Sequence, residues 1–199
     1  MSKTPPLFCS FYTNQKYEAL CHEILVPSLL RFGLDFSVEE RPDLGSWEKN
    51  VRQKAPYLSH MLLEHPDRPI VWVDADAEIV ALPKLLLSMP ADVDMAAHVW
   101  THRWDGVPEL WSSVLFLRRP ARPVMLAWSD ENEKEGLREG WSDPNLQAVL
   151  ERFPEVKAGR FMLLPPEYAW TEYVMRGALP AAVPIIRHER VSRPMWTAR

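Results

Sequence analysis

Pro69-Ile70-Val71-Trp72-Val73-Asp74-Ala75-Asp76-Ala77-Glu78-Ile79-Val80 is the stretch from which the rest of the chain can be read. Ile70 to Val73 form an apolar run without polar alternation, the pattern of a strand covered on both faces, as in a parallel sheet flanked by helices. The run ends in two carboxylates. In open sheets of that kind ligands bind in the crevice outside the carboxyl ends of the strands, which is where Asp74 and Asp76 fall. Read as extended chain, two residues apart, their side chains point the same way. Like charges at the rim of a buried strand repel each other, and a divalent cation relieves that repulsion. Hard carboxylate oxygens suit Mg²⁺ or Mn²⁺. A solvated turn is the bland alternative, but a pair set directly after a buried strand predicts metal binding.

Upstream, Leu7 to Tyr12 reads as a first strand and Thr13-Asn14-Gln15 as the turn after it. Tyr17, Leu20, Cys21, Ile24 and Leu25 repeat at helical spacing as far as Phe32, with Gly33 as C-cap. Phe36 and Val38 mark a short second strand. Trp47, Val51, Ala55, Leu58 and Leu62 return at steps of four and three, predicting a helix kinked or split at Pro56. Strand, helix, strand, helix, strand with short connections predicts parallel pairing and an α/β fold. Downstream, a short helix is expected over 83–89 and strands over 94–100 and 111–117. Residues 123–132 are helical in composition, and 130–140 read as a charge-rich surface loop. Asp143-Pro144 opens another helix as N-cap and first-turn proline. Phe161 to Leu164 is a late strand, Pro165 to Trp170 a rigid loop, and Ile185 to His188 a last strand before an arginine-bearing tail.

The 199 residues suit one domain over 1–199, with a hydrophobic fraction of 47% and a charged fraction of 25%. The net charge of −4 argues against a general nucleic-acid or membrane-surface binder. Cys9 and Cys21 alone make neither a zinc nor a disulfide framework and read as buried thiols of a cytoplasmic protein. No signal peptide and no membrane span is expected. Nine Trp and nineteen Pro stand out against seven Gly. Several of the tryptophans fall in loop-like segments, where flat apolar faces often meet ligands.

The strand ending in Asp-x-Asp resembles that of glycosyltransferases with the A-type fold. The likeness extends in order along the chain. A helix bearing Lys54 precedes the strand, Ser112-Ser113-Val114-Leu115-Phe116-Leu117 resembles the later strand whose small residues line the donor sugar, and Asp143-Pro144-Asn145-Leu146-Gln147 resembles a split Asp-Gln helix start. Leu164-Pro165-Pro166-Glu167-Tyr168 is similar to the family's Leu-Pro loop, and Ile186-Arg187-His188 to its late histidine. The chain departs from the pattern in separating Asp143 from Gln147 by three residues, in its arginine-rich tail, and in its shortness.

The resemblance implies a mixed, mostly parallel sheet flanked by helices in a single domain, and a metal-dependent transfer of sugar from a nucleoside-diphosphate-sugar donor. It implies Asp74, Asp76 and His188 as ligands of Mn²⁺ or Mg²⁺. It places Thr13, Tyr17, Lys54, Asp74, Ser113, Arg187, Arg190 and Arg193 around the donor, and Asp143 or Gln147 at the catalytic step. Whether Asp143 touches the donor sugar or acts as acceptor base stays open here. So does the acceptor, which could be a glycan, a protein, a lipid or a modified nucleic acid. The aromatic segment 100–111 and the charged segment 130–141 are expected to flank the acceptor side, with aromatic packing as the plainer reading of the first. The same two carboxylates would also serve a metal-dependent phosphohydrolase or nucleotidyltransferase, or a non-catalytic nucleotide-binding module. The segment from His188 onward is expected to order around donor and metal.

Overall fold

A computed structural model describes residues 4–101, 107–135, 143–153 and 160–188. Among the described residues, eight strands form two sheets. The larger has six strands: β1 (Leu7–Tyr12), β2 (Phe36–Glu40), β3 (Ile70–Val73), β5 (Met95–Trp100), β6 (Glu109–Leu117) and β7 (Phe161–Leu163), in the order β2-β1-β3-β6-β5-β7. Only β6 runs against the others, so three neighbouring pairs are parallel and two antiparallel. The expected mixed, mostly parallel sheet is what the chain forms. The smaller sheet pairs β4 (Ala77–Ile79) with β8 (Ile186–His188) in antiparallel register.

Alternation along each central strand sends one set of side chains to each face. Ile70 and Trp72 face the layer of α4 (Lys54–Glu64), α6 (Arg122–Glu135) and α7 (Asp143–Leu150), where Leu58, Leu62, Val124, Trp128 and Leu146 are buried. Val71 and Val73 face the other layer, built from Cys21, Leu25 and Leu29 together with Ile79 of β4 and Ile186 of β8. All four residues of β3 are buried, with Ile70, Val71 and Val73 completely so. That explains the unbroken apolar run.

Prolines set the helix breaks. α3 (Trp47–Arg52) and α4 are separate helices divided at Gln53, with Pro56 in the first turn of α4. Pro56 has no N–H for the carbonyl of Arg52, so the break falls one turn before the proline rather than on it. In the first helical stretch, α1 (Gln15–Leu20) passes through a π-turn over Cys21–Leu25 into α2 (Val26–Arg31). Pro27 leaves the carbonyl of Glu23 without its usual donor there, and the helix widens one turn earlier. Gly33, at φ 60°, ends the stretch.

One expectation needs correction. Residues 130–135 are not loop but the end of α6, with Glu131 and Asn132 only 7% and 1% exposed. Polar composition misled because those side chains are paired in the interior. Two further helices are α5 (Lys84–Leu87) and α8 (Glu172–Ala178), and the latter had no clear periodic signal. Both cysteines are buried free thiols.

Candidate active site

The antiparallel course of β6 decides where the site lies. β1 and β3 deliver their last residues to one edge of the sheet, and β6 delivers its first residues to the same edge. Between Ala97 and His98 the β5–β6 register jumps, from Ala97 opposite Leu115 to His98 opposite Trp111. Residues 112–114 are thereby released from β5, a bulge of the kind that re-aims chain beside functional sites. Ser113 offers its carbonyl to the amide of Asp74 (3.0 Å), and the amide of Ser112 donates to Asp143 Oδ1 (3.2 Å).

Asp74 to Ala77 form a tight turn closed by the Ala77 amide on the Asp74 carbonyl (3.0 Å). The two carboxylates thus converge through a turn, not through extended alternation. β4 begins directly after this turn, and its pairing places His188 opposite Ala77. The His188 amide also donates to the carbonyl of Trp170 (2.8 Å). Held from two sides, the imidazole is 6% exposed, and its Nδ1 lies 3.9 Å from Asp76 Oδ1, too far for a hydrogen bond. Neither ring nitrogen has a hydrogen-bond partner among the described residues.

Asp74, Asp76 and His188 each present a ligand atom within 4.8 Å of the others. Among the described residues this is the group of such side chains that could hold a metal ion. An orphaned buried imidazole beside two carboxylates is an expensive arrangement for a site meant to stay dry and empty. Oxygen and imidazole nitrogen together suit Mn²⁺. The donor set fits a divalent cation.

Lys54 is the hub behind the triad. Only 7% exposed, its Nζ donates to Asp74 Oδ1 at 2.8 Å and to Ser112 Oγ at 3.2 Å, above the Trp72 ring at 5.1 Å. The Trp72 indole Nε1 donates to the same Asp74 oxygen at 2.8 Å. Two donors, one charged, fix Oδ1 and leave the second oxygen to other partners. Sequence reading missed Trp72, although its position two residues before Asp74 puts both on one strand face.

A cleft of about 180 Å³ runs along this edge. Its lining includes Tyr12, Thr13, Tyr17, Trp47, Asn50, Trp111, Ser113, Asp143 and Thr171, together with the triad and Lys54. Trp47, Asn50 and Thr171 carried no motif that would have singled them out. Burial pushes the Asp143 carboxyl above the ordinary aspartate range. The Lys54 charge and the Ser112 side chain counter this, while Asp74 and Glu109 add to the rise.

The remaining expected residues lie elsewhere. Gln147 does not line the cleft: its Oε1 accepts from the Leu110 amide (3.1 Å) and its Nε2 donates to the Pro108 carbonyl (3.4 Å). Arg187 points away from His188 and donates to Glu78 Oε2 at 2.6 Å. Arg190 and Arg193 fall outside the described residues, as do His102, Trp104 and Asp105 of the aromatic segment and 136–141 of the charged one. Trp100 and Trp111 stack at 5.6 Å, and both are buried. Packing accounts for Trp100, whereas Trp111 also reaches the cleft.

The structure is similar to that of a glycosyltransferase involved in the glycosylation of the major capsid of PBCV-1, with a TM-score of 0.71 over 95% of each chain at 13% identity. The fold is that of the A-type glycosyltransferases. It is also similar to the glycosyltransferase GlyE of Streptococcus pneumoniae TIGR4, with a TM-score of 0.59 at 14% identity; that match covers 99% of this chain and 57% of that one. No protein-family model and no curated protein sequence matches the chain. Likeness at such identities establishes the glycosyltransferase fold, with an Asp-x-Asp pair and a histidine gathered at its cleft. No described helix is long and apolar enough to cross a membrane.

Proposed function

We propose that this chain is a metal-dependent glycosyltransferase that moves a sugar from a nucleoside-diphosphate-sugar to an acceptor. The observation that carries the reading is the meeting of Asp74, Asp76 and His188 in one cleft at the ligand-binding edge of a glycosyltransferase fold. Asp76 and His188 would hold Mn²⁺ or Mg²⁺, with Asp74 beside them. When bound, such an ion supplies positive charge against the diphosphate that departs.

The protein's own groups do the rest. Tyr17 and Thr13 line the cleft and would meet the flat nucleoside base. Lys54 holds Asp74 in place and keeps a positive charge behind the carboxylates, which lowers the repulsion that an arriving diphosphate meets. Ser113, whose buried hydroxyl has no partner among the described residues, would bond a donor-sugar hydroxyl. Asp143 faces the same region, and its raised proton affinity suits it to accept a hydrogen bond or a proton from a sugar or acceptor hydroxyl. Gln147 acts through α7 rather than on substrate. Arg190 and Arg193 are the candidates for the diphosphate oxygens, since Arg187 is engaged by Glu78. The buried thiols fit a reducing compartment such as the cytoplasm. The Cys21 thiol, pushed up to about 12 by burial and the charge of Asp76, stays neutral there.

Product analysis tests the reading. The protein is incubated with a panel of nucleoside-diphosphate-sugars, Mn²⁺ and candidate acceptors. Release of nucleoside diphosphate with sugar on the acceptor or on water supports transfer. Release of inorganic phosphate or pyrophosphate instead would replace it with phosphohydrolase or nucleotidyltransferase chemistry.

A further inference from the structure

α7 carries Asp143 to the cleft, yet its seat against α6 is not wholly apolar. Val124, Met125 and Trp128 of α6 pack with Leu146, Val149 and Leu150 of α7 in one buried cluster. In the same helix pair lie two asparagines, Asn132 at 1% and Asn145 at 0% exposure. Asn145 Nδ2 donates to Asn132 Oδ1 at 2.8 Å, and Asn132 Nδ2 has no hydrogen-bond partner among the described residues. Leucines would bury more apolar surface at these two places and would leave no amide hydrogen unbonded, so stability does not account for the pair. Buried polar pairs that cost stability are best attested as devices that fix register.

Register matters on α7 in particular. Apolar ridges of two helices admit more than one seating, and a slip of one turn moves a helix about 5.4 Å along its axis. Asn145 follows Asp143 by two residues in the same first turn. Gln147 ties the next part of α7 to the start of β6 through the Leu110 amide and the Pro108 carbonyl. Asp143 Oδ1 then meets the one amide, Ser112, that the bulge in β6 turns toward it.

We propose that Asn132 and Asn145 are positioning residues: their amide pair locks the register of α7 on α6 and so holds the Asp143 carboxylate against Ser112 in the cleft. The activity half of the test rests on the transferase reading, whereas the structural half does not.

The full chain is compared with Asn132→Leu and Asn132→Asp. Hydrogen exchange at the Ser112 amide is followed by NMR, and turnover by release of nucleoside diphosphate. Asn132→Leu is expected to fold with an unchanged or higher Tm. Its Ser112 exchange should rise about tenfold, as loss of one hydrogen bond to a charged group implies, with exchange at Leu115 unchanged. Turnover should fall about a hundredfold, the effect of a misplaced reacting group, with little change in KM for the donor. Asn132→Asp keeps the accepting oxygen and should keep both readouts near wild type. A folded Asn132→Leu protein with wild-type Ser112 exchange and turnover overturns the proposal. Should that variant not fold, Asn132→Ala is read the same way, and unchanged Ser112 exchange in it overturns the proposal equally. If the wild type transfers no sugar, the proposed function fails, and Ser112 exchange alone decides this inference.

Discussion

Lys54 Nζ stands 2.8 Å from Asp74 Oδ1, joining the first turn of α4 to the end of β3 through a nearly buried ion pair. The same ammonium reaches Ser112 Oγ, and Ser112 in turn bonds Asp143 through its amide. One cation therefore organises two carboxylates from distant parts of the chain.

Replacing Lys54 by Met should leave the fold recognisable but weaken it. Asp74, its side chain 32% exposed, would lose its charged partner while keeping the Trp72 indole, at a cost of about 1–3 kcal/mol. That is roughly 2–12 °C in Tm for a chain of this size. Mn²⁺ should recover part of the loss in the variant, because it restores positive charge beside Asp74. A Lys54→Met protein as stable as wild type by calorimetry would show that the pair contributes nothing.

Asp143 gives a stability prediction that depends on pH. Its carboxyl is raised by burial, so at neutral pH the folded state carries a charge that it holds less well than the unfolded chain does. Asp143→Asn removes that charge and keeps an oxygen for the Ser112 amide. The variant should therefore be more stable than wild type at neutral pH. The gap should narrow as pH falls through the raised folded value and close below the ordinary aspartate value near about 3.9. Urea unfolding at several pH values measures it; a gap that widens toward acid has the wrong sign.

How much of this the sequence disclosed follows from which forces act locally. The β3 run and its terminal carboxylates were readable because complete burial leaves an unbroken apolar mark. The helix split before β3 was readable from Pro56, although the break lies one turn earlier. The turn that brings Asp74 and Asp76 together was not, because one amide-to-carbonyl bond over four residues leaves no periodic trace. Nor was the β4–β8 sheet, whose three-residue strands pair across most of the chain. The end of α6 was misread for a physical reason of its own: Glu131 and Asn132 look like surface, but one pairs with Arg152 and the other with Asn145. Fold class and the metal-ligand candidates were legible, while the positioning contacts were not.

The C-terminal segment divides at His188. Ile186 is fully buried and β8 is paired to β4, so truncation after Pro184 should destabilise the protein as well as remove His188. Truncation after His188 isolates the tail. If Arg190 and Arg193 grip the diphosphate, that shorter chain should keep Mn²⁺ binding and Tm yet bind nucleoside diphosphate about tenfold or more weakly, each charged hydrogen bond being worth about 1.5–3 kcal/mol. Equal nucleotide affinity in the two chains would exclude the tail from the site.

The measurement that bears most directly on the central claim is calorimetric titration of nucleoside diphosphates with and without Mn²⁺, on wild type, Asp76→Asn and His188→Ala. Wild type should bind at least one nucleoside diphosphate far more tightly with Mn²⁺ than without, and saturation at about 100 times the dissociation constant should add about 2.7 kcal/mol of stability. Both variants should stay folded and lose the Mn²⁺-dependent gain. Metal-dependent nucleotide binding that survives at wild-type strength in Asp76→Asn and His188→Ala would contradict the account.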